Sequence, residues 1–529
     1  MQVRWYVALL TPLLLFLAWP TYGWSPLIFV SLVPLLMAIE YTDSKKPARR
    51  AFWISYLVFA AYNAVNGYWI GNAHWSGTAA VIVINGAELA LAFYGYAWIK
   101  KSVDIKRAFI ALVAFWLTAE SIHNYWEISW PWLFLGNVFS EDIQWVQWYE
   151  YTGFSGGTLW VLAVNLAVFS SVKQLIQTKN TAVYGVRMGL YFLGWVLLPI
   201  GVSMWMYSSW EESEEKLDVI VVQPNVDAYT EKFKTTPQQA IDHFFALAEE
   251  KYDDEVDLIV GPETMIPKAM NESEIKSFTA VRTANAFREA HPNTSLLFGA
   301  STYKPYFVQV PPTLTSRPFS DGQGYYDMYN SSLFFTAQYA PAIYHKSMLV
   351  VGVEKMPFMS VLKPLLGEVA IDLGGTAGSL ATQAERDVYG VGNNAVRIGS
   401  AICYESVYGE YYGGFVRKGA QVMTIITNDD WWGDTPGHRQ HFSYARLRAI
   451  ESRRAIARSA NTGISGFINS RGEVEQRLEY REEGALRGQV EIREDITFYT
   501  RYGDLLVRTA WFVSIILVLS VFVKRKTAS

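Results

Sequence analysis

Cysteine is almost missing from this chain: among 529 residues there is one, Cys403. A single thiol excludes an intrachain disulfide and any metal site assembled from several thiolates, which leaves packing or thiolate chemistry as its uses. Taken alone, a cysteine that follows Ala401-Ile402 fits a small core side chain more readily than a nucleophile. Histidine is also scarce, at seven residues. His438 and His441 form a spaced pair, but Arg439 stands between them and no further ligand type is near in sequence, so a packing or surface role is expected and no metal. Charge of one sign does not accumulate either, with 45 Lys and Arg against 49 Asp and Glu and a net charge of −4. Without an extended basic patch interleaved with aromatics, no nucleic-acid partner is expected. A phosphate loop is missing as well, because Gly374-Gly375-Thr376-Ala377-Gly378 has neither the lysine nor the strand-to-helix setting that such a loop needs.

What the chain has in abundance is apolar surface. Hydrophobic residues make up 51%, aromatics 15% and charged residues only 18%, an average that suits neither a soluble domain nor a pure membrane bundle. Two unlike parts explain it. Apolar runs near residues 5–20, 25–41, 51–70, 78–99, 108–123, 155–173, 187–208 and 503–523 are each roughly long enough to cross a ~30 Å hydrocarbon layer. Basic residues gather at alternate connections: Lys45, Lys46, Arg49 and Arg50; Lys100, Lys101, Lys106 and Arg107; Lys173, Lys179 and Arg187; and Lys524, Arg525 and Lys526. By the positive-inside rule these connections are cytoplasmic, so the long segment between the seventh and eighth runs lies on the opposite face. The expected organisation is a seven-helix membrane domain over 1–210, a large exported domain over 211–500, and a last span with a basic tail over 501–529. The first run leads through Pro20 and Gly23 into the second with no small-x-small cleavage site, and reads as an anchor. The segment 120–153, with Trp126, Trp130, Trp132, Trp145 and Trp148, reads as an aromatic belt at the membrane boundary or the floor of a lipid-facing cavity.

From Leu217 to Glu494 short β-rich runs alternate with amphipathic helical stretches, the pattern of an α/β domain. Strands are expected at 218–222, 257–260, 295–298, 331–336, 342–345, 396–402 and 422–426. Ile241, Phe244, Phe245, Ala248 and Tyr252 recur at helical spacing and mark a core-facing helix. Polar residues follow the ends of these strands: Glu263 after Leu258-Ile259-Val260, Lys346 after Ile343-Tyr344-His345, Cys403 after Ala401-Ile402, and Asn428 with Asp429 after Ile425-Ile426-Thr427. In α/β domains sites form where such ends converge. A thiol with an ordinary pKa near ~8.5 is mostly protonated at neutral pH, so it needs a carboxylate to take its proton and a cation to steady its anion. Glu263 supplies the first and Lys346 the second, and the same ammonium would stabilise an oxyanion formed when sulfur attacks a carbonyl.

Glu, Lys and Cys in that chain order on an α/β domain resemble the nitrilase superfamily. Gly261-Pro262-Glu263-Thr264-Met265-Ile266-Pro267, Tyr344-His345-Lys346, Ile402-Cys403-Tyr404-Glu405 and Asn428-Asp429-Asp430-Trp431-Trp432-Gly433 look like signature stretches of the apolipoprotein N-acyltransferase family, its membrane-anchored branch. The resemblance, which extends over essentially the whole chain, implies an eight-span helical membrane domain with a nitrilase-like αββα sandwich inserted before the last helix. It also implies Glu263, Lys346 and Cys403 as catalytic residues, with Glu354, Tyr404 and Glu405 in support. Where many members read Pro-Phe-Gly-Glu-Tyr-Val-Pro, this chain has Val351-Gly352-Val353-Glu354-Lys355-Met356-Pro357, so the glutamate is kept in an altered loop. Phe233 corresponds to a lipid-contacting aromatic of the family, and Asn428, Trp431, Met356 and Phe358 are expected at the substrate. The segment 356–366 is either a mobile lid that admits acyl chains or a plain buried loop. The implied reaction transfers an acyl chain from the sn-1 position of a phospholipid to the N-terminal amine of a diacylated apolipoprotein. It would proceed through a Cys403 thioester, without cofactor, on the periplasmic side of a bacterial inner membrane, in a protein expected to be a monomer. A membrane-tethered amidase and a lipoprotein-binding scaffold are the rival readings.

Overall fold

The computed structural model describes residues 4–20, 22–42, 44–178, 181–227, 234–336, 340–366, 379–392 and 396–527. Phe233 and the glycine-rich run 374–378 lie outside them. The chain divides into two compact units, one of residues 1–71, 75–210 and 502–529 and the other of residues 72–74 and 211–501.

The first unit is all helix, and each of the eight apolar runs of the sequence forms helix. Four helices are long and apolar enough to cross a membrane: Trp75–Ile99, Phe154–Thr178, Gly185–Ser208 and Leu505–Lys524. Trp5–Ala18 and Ser25–Tyr41 are apolar but shorter. Pro47–Gly67 and Ile105–Tyr125 reach 21 residues. They carry polar and charged positions such as Arg49, Arg50, Asn63, Lys106, Arg107 and Glu120, which dilute their hydropathy. Three carboxylates in this unit have partners. Glu120 accepts from Trp116 Nε1 at 2.9 Å, Leu135 N at 3.0 Å and Thr158 Oγ1 at 2.8 Å. Glu88 pairs with His123, and Glu40 with both Lys100 and Lys173. In the Trp-rich segment Trp132, Leu133, Phe134, Leu135, Val138 and Phe139 are all buried, while Trp126, Trp130, Trp145 and Trp148 are partly exposed. Tyr149 Oη fastens it by donating to Gly136 O at 2.8 Å.

The second unit holds two β-sheets. In the first, β1 (Lys216–Gln223), β2 (Leu258–Val260) and β4 (Ser295–Tyr306) run parallel, and β14 (Gly484–Glu491) closes the edge antiparallel to β1. β3 (Ile266–Asn271) joins β4; β6 (Tyr325–Phe335) pairs antiparallel with β4, with β5 (Arg317–Pro318) and with β7 (Ala342–His345). In the second sheet, β8 (Val388–Val391) lies antiparallel to β9 (Val396–Ile402), which is followed by parallel β10 (Val422–Thr427) and β11 (Ile456–Ala460). Antiparallel β12 (Ser465–Ile468) and β13 (Val474–Leu478) complete it. Val219, Ile220, Val221 and Val222 are all buried, as expected of a parallel strand covered on both faces. The sheets meet through Ser459 Oγ, which donates to Val222 O at 2.7 Å.

Helices cover the outer faces. Pro237–Glu249 starts at a capping box in which Thr236 and Gln239 satisfy each other's backbone, with Pro237 pre-set at the first helical position. Its Ile241, Phe244, Phe245 and Ala248 join Val281 and Ala284 of helix Thr279–Ala290 in a core over Ile220, Ile259, Leu296 and Phe298. Helices Gly409–Arg417 and Pro436–Ser452 accompany the second sheet.

Candidate active site

Strand direction assembles the site. β2 and β4 are parallel, while β7 is antiparallel to β6 and β6 to β4, so β2 and β7 point the same way. Glu263 comes off the end of β2 and Lys346 off the end of β7. Their side chains meet, with Lys346 Nζ donating to Glu263 Oε1 at 2.9 Å and to Glu354 Oε1 at 3.0 Å. Asn330 on β6 ties the same two oxygens, donating from Nδ2 at 2.6 and 2.9 Å. The second oxygens are held by backbone: Glu263 Oε2 by Asn428 N at 3.0 Å and Glu354 Oε2 by Val350 N at 2.8 Å. Lys346 is 1% exposed and Glu263 5%. Burial works against the ammonium, but Glu263 and Glu354 outweigh it and raise its pKa well above the usual lysine range.

The loop that carries Glu263 fits only because of a glycine. A Cβ on Gly299 would come within 2.5 Å of Thr264 N and 2.6 Å of Glu263 Cα, and Thr264 itself has φ +47°. Cys403 is likewise left-handed, at φ +51°, a conformation that costs a residue with a side chain of order 1–3 kcal/mol. Its thiol is buried, and its pKa is pushed well above the ordinary value, first by burial and then by the Glu263 charge, with Lys346 pulling the other way. Glu263, Lys346 and Cys403 thus act on one another electrostatically, and a thiol must lose its proton before its sulfur can attack.

Glu405, fully buried, fixes the backbone on both sides of that group. Its Oε1 accepts from Ser347 N at 2.7 Å, directly after Lys346, and from Tyr344 Oη at 2.7 Å; its Oε2 accepts from Ile402 N at 2.8 Å, directly before Cys403. Burial raises its pKa against these donors. Tyr404 is buried edge-on against Tyr408, with ring centroids 5.2 Å apart. Asn428 Nδ2 and Asn330 Oδ1 are buried and make no hydrogen bond among the described residues. Trp431 is half-buried on the turn Asp429–Trp432. Met356 packs on Met359, whereas Phe358, at φ +56°, and Val361 are exposed around the short helix Met359–Leu366.

Two features of the site are not visible in the sequence. Asn330 is one: the expected strand starts one residue after it, at 331, whereas β6 runs from Tyr325 to Phe335. The other is a buried trio: Asp429 after β10, His441 on helix Pro436–Ser452 and Arg458 on β11, with Arg458 Nη2 2.8 Å from Asp429 Oδ2 and His441 Nδ1 2.9 Å from Asp429 Oδ1. His438 is buried too, stacked on Tyr480 at 4.3 Å. Neither histidine is on the surface.

Residues 12–167 match the apolipoprotein N-acyltransferase N-terminal domain. Among curated proteins, the apolipoprotein N-acyltransferase of Chlorobaculum tepidum is 28% identical over 98% of this chain and 97% of its own length. That of Geobacter metallireducens is 25% identical over 96% and 92%. Among solved structures, an amidase of the nitrilase superfamily from Nesterenkonia matches 57% of this chain and 98% of its own, at 15% identity and a TM-score of 0.37. Residues 219–496, which hold Glu263, Lys346 and Cys403, match the carbon-nitrogen hydrolase pattern, and the chain belongs to the carbon-nitrogen hydrolase family.

Proposed function

We propose that this chain is an apolipoprotein N-acyltransferase that moves an acyl chain from the sn-1 position of a phospholipid to the N-terminal amine of a diacylglyceryl-cysteine lipoprotein. The observation that carries the reading is the buried Lys346 held between Glu263 and Glu354, with Cys403 in a left-handed conformation at the end of β9, in a chain that also has helices apolar enough to cross a membrane. In the first half-reaction Glu263 takes the Cys403 proton, sulfur attacks the ester carbonyl, and Lys346 faces the oxyanion. The carbon–oxygen bond breaks, the lysophospholipid alkoxide takes the proton back from Glu263 and leaves, and the acyl chain stays on sulfur. In the second half the lipoprotein amine attacks the thioester, Glu263 accepts its proton, and the amide forms as the thiolate departs and is reprotonated.

Glu354 holds the Lys346 ammonium in place, and Glu405 keeps the Lys346 and Cys403 loops in register. Asn428, Tyr404, Trp431, Met356 and Phe358 lie in segments that would meet the lipid chains, with Phe358 and Val361 on a lid, and Phe233 is proposed in the same role from the family resemblance. A hydrolase of soluble substrates gains nothing from membrane helices, whereas two lipid substrates require a nucleophile near a bilayer. Eight spans with cytoplasmic basic connections would set the catalytic unit on the periplasmic face of an inner membrane. The test supplies purified protein with a phospholipid labelled in its sn-1 chain and a diacylated lipopeptide. Label on the lipopeptide amine supports the transferase, and label released only as free fatty acid would make the chain a hydrolase.

A further inference from the structure

The trio of Cys403, Asp429 and His441 has the residue types of a cysteine–histidine–aspartate triad, with one ligand-type atom of each within 4.8 Å of the others. The same set could hold a metal ion on distance alone. Arg458 argues against an ion, because its guanidinium already lies 2.8 Å from Asp429 Oδ2 and 3.1 Å from His441 Nδ1, and a metal would have to share that space with a fixed positive charge. Hydrogen bonding argues against the triad. His441 Nε2 faces the Cys403 carbonyl oxygen at 3.2 Å and Ser406 Oγ at 3.1 Å. A carbonyl only accepts, and the single Ser406 hydroxyl proton goes to that same carbonyl over the shorter distance of 2.7 Å. Nε2 therefore carries a hydrogen. Nδ1, flanked by a donor in Arg458 and an acceptor in Asp429, can be bare or protonated without altering Nε2.

We propose that His441 is a positioning residue for the nucleophile: its Nε2–H grips the Cys403 carbonyl and holds the left-handed backbone that aims the sulfur, while Asp429 and Arg458 fix the ring. The surroundings suit a rigid clamp. Asp429, His441 and Arg458 are all buried, Thr427 Oγ1 donates to Asp429 Oδ1 at 2.7 Å, and the Trp432 ring stands edge-on to the imidazole at 5.5 Å. With its hydrogen in place, Nε2 cannot take the thiol proton, and Nδ1 is enclosed by Asp429 and Arg458, which leaves that task to Glu263. This inference rests on Cys403 being the nucleophile.

The test compares His441→Gln, whose amide can still donate to the carbonyl but cannot act as a base, with His441→Leu, which can do neither. Cys403 alkylation by iodoacetamide and acyl transfer to a diacylated lipopeptide are measured on the full-length protein, with melting temperature as the control for folding. The glutamine variant is expected to keep alkylation and kcat within about tenfold of the parent, and the leucine variant to lose more than about thirtyfold in both with KM little changed. If the leucine variant does not fold, His441→Asn, whose shorter amide falls short of the carbonyl, replaces it with the same expected loss. Equal loss in the glutamine and leucine variants with folding intact would make His441 a proton acceptor and overturn the proposal. Parental rates in the leucine variant would reduce it to packing and overturn it too. An inert Cys403 in the unmodified protein, with acyl transfer intact, would instead sink the nucleophile assignment itself.

Discussion

At the scale of single residues, the site works by opposing charges on one thiol. Glu263 raises the Cys403 pKa as a neighbouring anion, yet it is the group proposed to receive the proton. The two effects separate in Glu263→Gln. Removing the anion lowers the thiol pKa, so alkylation of Cys403, which in the parent keeps rising as pH passes the ordinary thiol range, should rise at a lower pH in the variant. Turnover should move the other way and fall by at least about a hundredfold for want of a base. A pH series of iodoacetamide alkylation beside an acyl-transfer assay checks both signs at once. Glu263, Lys346 and Cys403 were legible in the sequence because each follows an apolar strand directly. Glu354 was legible only through the family pattern, since its loop differs from it. Asp429 was legible as a polar residue at a strand end, but Asn330, Arg458 and the pairing of Asp429 with His441 were not, because their partners are distant in the chain and a buried arginine in a strand looks like a surface position until the fold covers it.

At the scale of elements, the site depends on strand ends being held in register. The carboxylate of Glu405 binds the backbone just after Lys346 and just before Cys403. In Glu405→Gln an amide NH₂ must face one of these N–H donors, which should cost about 1–3 kcal/mol of stability and lower the melting temperature by several degrees. Turnover should fall further than stability alone explains, because both loops shift; a variant with parental melting and kcat would contradict this role. The sequence reading found β7 and β9 at their observed bounds and β10 to within a residue, as continuous apolar runs of buried strands allow. It missed β11 to β14, where Arg458, Ser465, Gln476 and Arg487 break the apolar pattern. Arg458 is buried by pairing with Asp429, and β14 is an edge strand whose polar side chains need no core.

At the scale of the whole molecule, a catalytic α/β unit is inserted between helix Gly185–Ser208 and helix Leu505–Lys524, both apolar enough to cross a membrane. The chain should therefore stay in the membrane pellet after alkaline carbonate washing and come out only with detergent; release by carbonate alone would contradict the membrane reading. The proposed acyl exchange between two membrane-bound substrates would need such tethering at both ends. The central claim is that a fatty chain rests on the one sulfur of this protein. Mass spectrometry of the Cys403 peptide after incubation with phospholipid alone tests it most directly. The expected result is an added acyl mass on Cys403 that hydroxylamine removes, that later lipopeptide discharges, and that is missing from Cys403→Ala. Efficient acyl transfer by Cys403→Ala, or by a protein whose Cys403 never gains that mass, would contradict the account.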